Sequence, residues 1–177
     1  DFGNPRLPVV LVQLGRFTAQ KTATEIPCWN SIREQQRLLP VRVDYLRTVP
    51  AIDLEQDDAI HLGATGLITL GYRLAEAMSS LSRGRMAASL RPIELDSVKF
   101  IPETSAISIS FKHVRGSLRA AGRPTGFSVR EGVVAVPSII RTELQGSTVI
   151  LKTSLPSYLP LQGKALYHGF GLDPYTN

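Results

Sequence analysis

Between residues 7 and 82 the chain alternates strand-like and helix-like patterns, and only two of these segments read as strands. That shortage of strands constrains the fold more than any other feature. A parallel pair covered by helices on one side leaves a raw edge. This half therefore reads as the end of a doubly wound domain whose beginning is absent. The first strand is the run Pro8-Val9-Val10-Leu11-Val12-Gln13-Leu14, apolar and β-branched, of the type buried on both faces of a parallel sheet. Gln13 emerges at its carboxyl end, where ligands sit in open α/β sheets. Residues 29–39 suit a short amphipathic helix, with Asn30 or Ser31 as N-cap, Arg33 and Gln36 on one flank, and Pro40 as its end. Residues 41–46 alternate as a second strand. Residues 48–58 form an acidic loop. A second helix starts near Thr65 and carries Leu67, Ile68, Leu70, Leu74, Ala75, Met78 and Leu81 to about Ser82, before Arg83-Gly84-Arg85. Gly71 inside it costs about 1 kcal/mol relative to Ala unless a neighbour packs against it.

After Arg91-Pro92 the period changes. Residues 94–101, 105–112, 126–130, 132–136, 139–144, 148–151 and 164–167 are short, alternating or β-branched, with Gly, Pro and Ser between them. They predict a small all-β domain of sandwich type. With 43% hydrophobic and 20% charged residues the chain is globular rather than disordered. The net charge of +5 is uneven, +1 over residues 1–90 and +4 over residues 91–177. The basic residues of the second half are scattered singly with few aromatics, which favours a solvated surface over a nucleic-acid groove. No apolar run approaches the ~18 residues of a membrane span. Cys28 is the only cysteine, so no internal disulfide forms; Pro27 and Trp29 beside it suggest packing.

Chemistry concentrates in Asp57-Asp58-Ala59-Ile60-His61-Leu62-Gly63. An Asp that grips one imidazole nitrogen fixes the tautomer and leaves the other nitrogen as a base. Spacing of i and i+3 permits that grip if the turn closes. The same letters also describe an acidic helix N-terminus with a surface histidine. A ring turned away into bulk solvent would speak against the base. Glu55, Asp57 and Asp58 lack the alternating ligands of a calcium loop, so no metal is expected. His113, beside Lys112 and Arg115, reads as surface, and His168 as packing or edge pairing. Arg33 and Gln13 are candidates for substrate contact, with joining of helix to sheet as the competing role.

Val12-Gln13-Leu14, Trp29-Asn30-Ser31-Ile32-Arg33-Glu34-Gln35-Gln36, Asp58-Ala59-Ile60-His61 and Gly71-Tyr72-Arg73-Leu74-Ala75 occur in that order. In order and spacing they resemble the C-terminal portion of SGNH-type sialate O-acetylesterases and related carbohydrate acetylesterases. Gly126-Phe127-Ser128-Val129 and Tyr167-His168-Gly169-Phe170-Gly171, with Pro174 and Asn177, look like the accessory domain of that family. The resemblance implies an α/β chain: the C-terminal part of a doubly wound SGNH-like α/β/α domain over residues 1–90, then a small sandwich-like β domain over 91–177. It implies His61 as general base, Asp58 as its orienting partner, an acetylated carbohydrate as substrate, no cofactor, and export to the periplasm or exterior. The family's nucleophile lies in an early Gly-Gln-Ser-Asn or Gly-Asp-Ser block, absent here. A companion chain or N-terminal segment carrying the serine is therefore expected, without which this chain is inactive. A non-catalytic carbohydrate-binding module of the same descent is the other reading.

Overall fold

The computed structural model describes residues 3–4, 6–19, 25–82, 92–120, 122–156 and 163–174. The fold is mixed α/β, with two α-helices and three sheets among the described residues. The chain divides into two compact units, residues 1–87 with 171–176, and residues 88–170. Among the described residues, 171–174 thus group with the first unit, whereas the sequence reading ran the second domain over 91–177.

In the first unit, strand β1 (Val9–Val12) and strand β2 (Leu46–Val49) form a two-stranded parallel sheet, Val9 opposite Leu46 and Val12 opposite Val49. Helix α1 (Glu25–Arg42) lies between them in sequence and helix α2 (Ala64–Ser82) follows β2. One face of α2 presents Leu70, Leu74 and Ala77 at helical spacing. They pack with Val10, Val49, Ala51, Leu54 and Leu62 into one apolar cluster.

Several expectations are corrected here. Helix α1 is longer at both ends than residues 29–39 and runs through Pro40. Pro27 falls in its first turn, where no N–H is needed. Pro40 falls in its last turns and cannot bond the Gln36 carbonyl; the Thr48 hydroxyl of β2 donates to that carbonyl instead, at 2.6 Å. The second strand consequently begins at Leu46, not Val41. Residues 41–42 remain helical and the chain reverses through Tyr45, at a left-handed φ of 60°. Strand β1 is not buried on both faces, since Val9 and Val12 are exposed. Both helices pack against the two-stranded sheet, yet the outer residues of β1 stay open among the described residues. The apolar stripe of α2 likewise splits: Leu70 and Leu74 enter the core, while Leu67, Ile68 and Tyr72 are more than half exposed. Cys28 is exposed rather than packed. Its neighbour Trp29 turns inward instead, donating Nε1–H to the Gly15 carbonyl at 2.8 Å and lying against Phe17.

The second unit contains every strand expected of it, with ends shifted by a residue or two. Strands β3 (Glu94–Ile101), β4 (Ala106–Lys112), β7 (Ile139–Gln145) and β8 (Thr148–Thr153) form one antiparallel sheet in the order β3-β4-β8-β7. Strands β5 (Phe127–Glu131), β6 (Val134–Val136) and β9 (Ala165–His168) form a second, in the order β6-β5-β9. The alternation in β4 sends Ile107 and Ile109 inward, where Val149 and Leu151 of β8 and Val129 of β5 meet them. Both sheets thus share one apolar core, and complete burial of a side chain such as Ile107 or Leu151 stabilises by about 1.5–3 kcal/mol. The β7–β8 hairpin turns at Gly146, whose φ of 61° suits a residue without Cβ.

Candidate active site

The loop between β2 and α2 is closed by its own backbone. Asp57 N–H donates to the His61 carbonyl at 3.0 Å and Gly63 N–H to the Glu55 carbonyl at 3.1 Å. Two glycines let the loop lie against the helix start. A Cβ on Gly66 would stand 2.5 Å from the Glu55 carbonyl oxygen, and one on Gly63 would meet the Asp57 and Glu55 carboxylates. The Glu55 carboxylate accepts from Gly66 N–H, one of the orphan donors of the first helical turn. Farther along α2, Arg73 grips Asp53 with two hydrogen bonds of 2.8 and 2.6 Å and reaches the Pro50 carbonyl. The Arg73 hydrogen bond holds the Asp53 carboxyl below its ordinary range.

Within this loop the turn Asp58–His61 closes as its spacing requires. One Asp58 oxygen, Oδ1, accepts from the N–H groups of Ile60 at 2.8 Å and His61 at 2.7 Å. The other, Oδ2, lies 2.7 Å from Nδ1 of His61. A carboxylate only accepts, so Nδ1 carries the proton and Nε2 carries the lone pair. The Ile60 N–H, then the His61 ring, then the His61 N–H lower the Asp58 carboxyl to about 2. Asp58 is therefore ionised throughout the neutral range and holds the ring in one tautomer. The ring keeps its carboxylate, but its side chain is 73% exposed and that of Asp58 is 56% exposed, the solvent-facing placement that speaks against a base formed by these residues alone. Among the described residues no hydrogen bond to Nε2 is present.

The other two candidates lie beside the loop. Gln13 follows β1, is half-buried, and donates Nε2–H to the Arg33 carbonyl at 2.9 Å. Arg33, on the inner flank of α1, is 5% exposed. It donates Nε–H to the Leu14 carbonyl at 3.0 Å and reaches the carbonyls of Gly15, Gly171 and Leu172 with its terminal nitrogens. Gln36 shares the flank, as its spacing predicts, and accepts from Leu14 N–H at 2.8 Å. Neither Gln13 nor Arg33 reaches the Asp58–His61 pair directly. The segment 14–18 connects them to it: Thr18 N–H donates to the Ala59 carbonyl at 2.9 Å, Gln56 Nε2–H to the Arg16 carbonyl, and Arg16 to the Leu54 carbonyl. Sequence reading missed Thr18, Arg16 and Asp53, whose partners lie twenty or more residues away and leave no local pattern.

His113 has a left-handed φ of 64° and stands 3.8 Å from the Glu94 carboxylate; His168 lies against the Phe127 ring. Both belong to the second unit. Among the described residues no three His, Cys, Asp or Glu side chains are grouped to hold a metal ion. No described helix is long and apolar enough to cross a membrane.

Comparison with known proteins turns on the span that contains the turn. Residues 1–80 match the model of the carbohydrate esterases described as sialic acid-specific acetylesterases. That match bears out the resemblance read from the sequence. It takes in β1, α1, β2, the Asp58–His61 loop and nearly all of α2. Among solved structures, the fold is similar to that of a carbohydrate acetylesterase from Xanthomonas citri, with a TM-score of 0.70 at 20% identity over 97% of this chain. The chain spans 38% of that protein's length. No curated protein sequence matches.

Proposed function

We propose that the chain is part of a carbohydrate O-acetylesterase and supplies the histidine base and its carboxylate. On this reading residues 1–87 with 171–176 are the C-terminal part of a doubly wound SGNH-like domain and residues 88–170 a sandwich-like accessory domain. The nucleophilic serine comes from a segment outside these residues. The observation that carries the reading is the 2.7 Å Asp58–His61 contact within a span that matches an acetylesterase family. Its high exposure is consistent with a site whose facing wall, and whose serine, are brought by that other segment.

The chemistry then follows from the tautomer. The serine hydroxyl gives its proton to Nε2 of His61 as its oxygen attacks the acetyl carbonyl carbon. The imidazolium is stabilised by Asp58 through Nδ1–H, and Asp58 keeps its charge. Collapse of the tetrahedral intermediate breaks the bond to the sugar oxygen, which takes the proton back from Nε2. Water then gives a proton to Nε2 as its oxygen attacks the acetyl-serine. When the second tetrahedral intermediate collapses, the bond to the serine oxygen breaks, that oxygen takes the proton back from Nε2, and acetate leaves. The oxyanion donors also lie outside this chain, and each is worth on the order of a hundredfold in rate.

The test is His61→Ala in the complete protein, assayed by acetate release from an O-acetylated sialic acid and from another acetylated saccharide. Turnover falls by roughly a thousandfold or more. Undiminished turnover overturns the reading. Saccharide binding without turnover in the unaltered complete protein favours the non-catalytic module instead.

A further inference from the structure

Two short segments, distant in sequence, converge on one guanidinium. Arg33 is buried, and its planar fork bonds the carbonyls of Leu14 and Gly15 on one side and of Gly171 and Leu172 on the other. The same two strips of backbone are joined by further bonds. Phe17 N–H donates to the Leu172 carbonyl at 2.9 Å, Gly171 N–H to Asn30 Oδ1 at 2.9 Å, and Arg16 pairs with Asp173 at 3.4 Å. Leu172 is 1% exposed, so residues 171–173 are built into the first unit rather than laid on it. The far side of segment 14–18 carries the hydrogen bonds to Leu54, Gln56 and Ala59, and Ala59 directly follows Asp58.

We propose that Arg33 is a positioning residue for the Asp58–His61 pair. It acts through segment 14–18, with residues 171–173 as the other jaw of the grip. A guanidinium holding four carbonyls fixes where segment 14–18 lies, and that segment fixes the Ala59 carbonyl. Apart from the Thr18 bond, the described contacts of the Asp58 turn are those of its own loop, and its side chains face solvent. A shift of Ala59 by a fraction of an ångström would therefore lengthen the 2.7 Å Asp58–His61 contact and release the tautomer. The kinetic consequence rests on the esterase reading; the structural one does not.

The test reads the His61 tautomer by 15N NMR of histidine-labelled chain, in the unaltered protein and in Arg33→Lys, Asn30→Ala and Arg37→Ala. Arg37 sits on the exposed side of α1, paired with Glu34, and serves as control. The unaltered chain holds Nδ1–H. Arg33→Lys shifts the ring toward a mixture, because an ammonium cannot span four carbonyls, and Asn30→Ala shifts it less. Arg37→Ala leaves it unchanged. In the complete protein, Arg33→Lys lowers kcat by about tenfold or more with KM within about twofold, as expected for misplacement of a catalytic group. An unchanged tautomer ratio in folded Arg33→Lys overturns the proposal, as does an equal shift in Arg37→Ala. If Arg33→Lys does not fold, Asn30→Ala decides alone by the same criterion. Failure of His61→Ala to reduce turnover would remove the esterase reading yet leave the tautomer result standing.

Discussion

Asp58 shows how three neighbouring hydrogen bonds set the chemistry of one side chain. Two of its three donors are backbone N–H groups of its own turn, so its carboxyl is lowered to about 2 by local geometry rather than by burial. The folded value lies below the ordinary value of about 3.9, so the contribution of this turn to stability is complete above that pH and is lost as pH falls through about 2. A carbon-13 titration of the Asp58 carboxyl is expected to give a midpoint near 2; a midpoint near the ordinary value would mean that the turn is open in solution. The spacing of Asp58 and His61 was legible in the sequence because both the grip and the turn are local. The exposure of the ring was not, since it depends on which elements stand opposite.

At the scale of elements, helix α2 carries two glycines with opposite consequences. At Gly66 the backbone of Glu55 leaves no room, and a Cβ would come within 2.5 Å of its carbonyl oxygen. Gly66→Ala is expected to destabilise by about 1–3 kcal/mol in urea unfolding, because backbone must move to admit the methyl. At Gly71 nothing lies within 4 Å of the built Cβ. Gly71→Ala is therefore expected to stabilise by about 1 kcal/mol in the same assay. A loss of stability there would show that the exposed side of the helix is covered in solution. The sequence placed both glycines near or within the helix but could not tell them apart, since only the path of the 55–57 loop distinguishes them. Helix α1 teaches the related lesson. Pro40 reads as a stop signal, yet the Thr48 hydroxyl supplies the Gln36 carbonyl with the partner the proline withholds.

For the molecule as a whole, the first unit exposes Val9 and Val12 of β1 and Leu67 and Ile68 of α2, while both sheets of the second unit contribute to one core. A helix apolar on two sides belongs between two layers. In the 177-residue chain Ile68 contributes little to stability, because it is 63% exposed. Ile68→Lys is expected to change unfolding free energy by no more than about 0.5 kcal/mol and to reduce binding of a hydrophobic dye. A loss of several kcal/mol would mean that this face is already buried in solution, for example by self-association.

The local periods of this chain were sufficient for its two classes of structure and for the closed Asp58–His61 turn. Alternation predicts each strand of the second unit, and the i,i+3 spacing predicts the hydrogen-bonded pair, since both depend on neighbours a few residues away. Tertiary structure alone decided that residues 171–173 return to the first unit, that Arg33 joins four carbonyls there, and that Thr18 ties segment 14–18 to the site loop. These contacts join residues tens to more than a hundred positions apart, and backbone carbonyls, which every residue carries, leave no mark in a sequence.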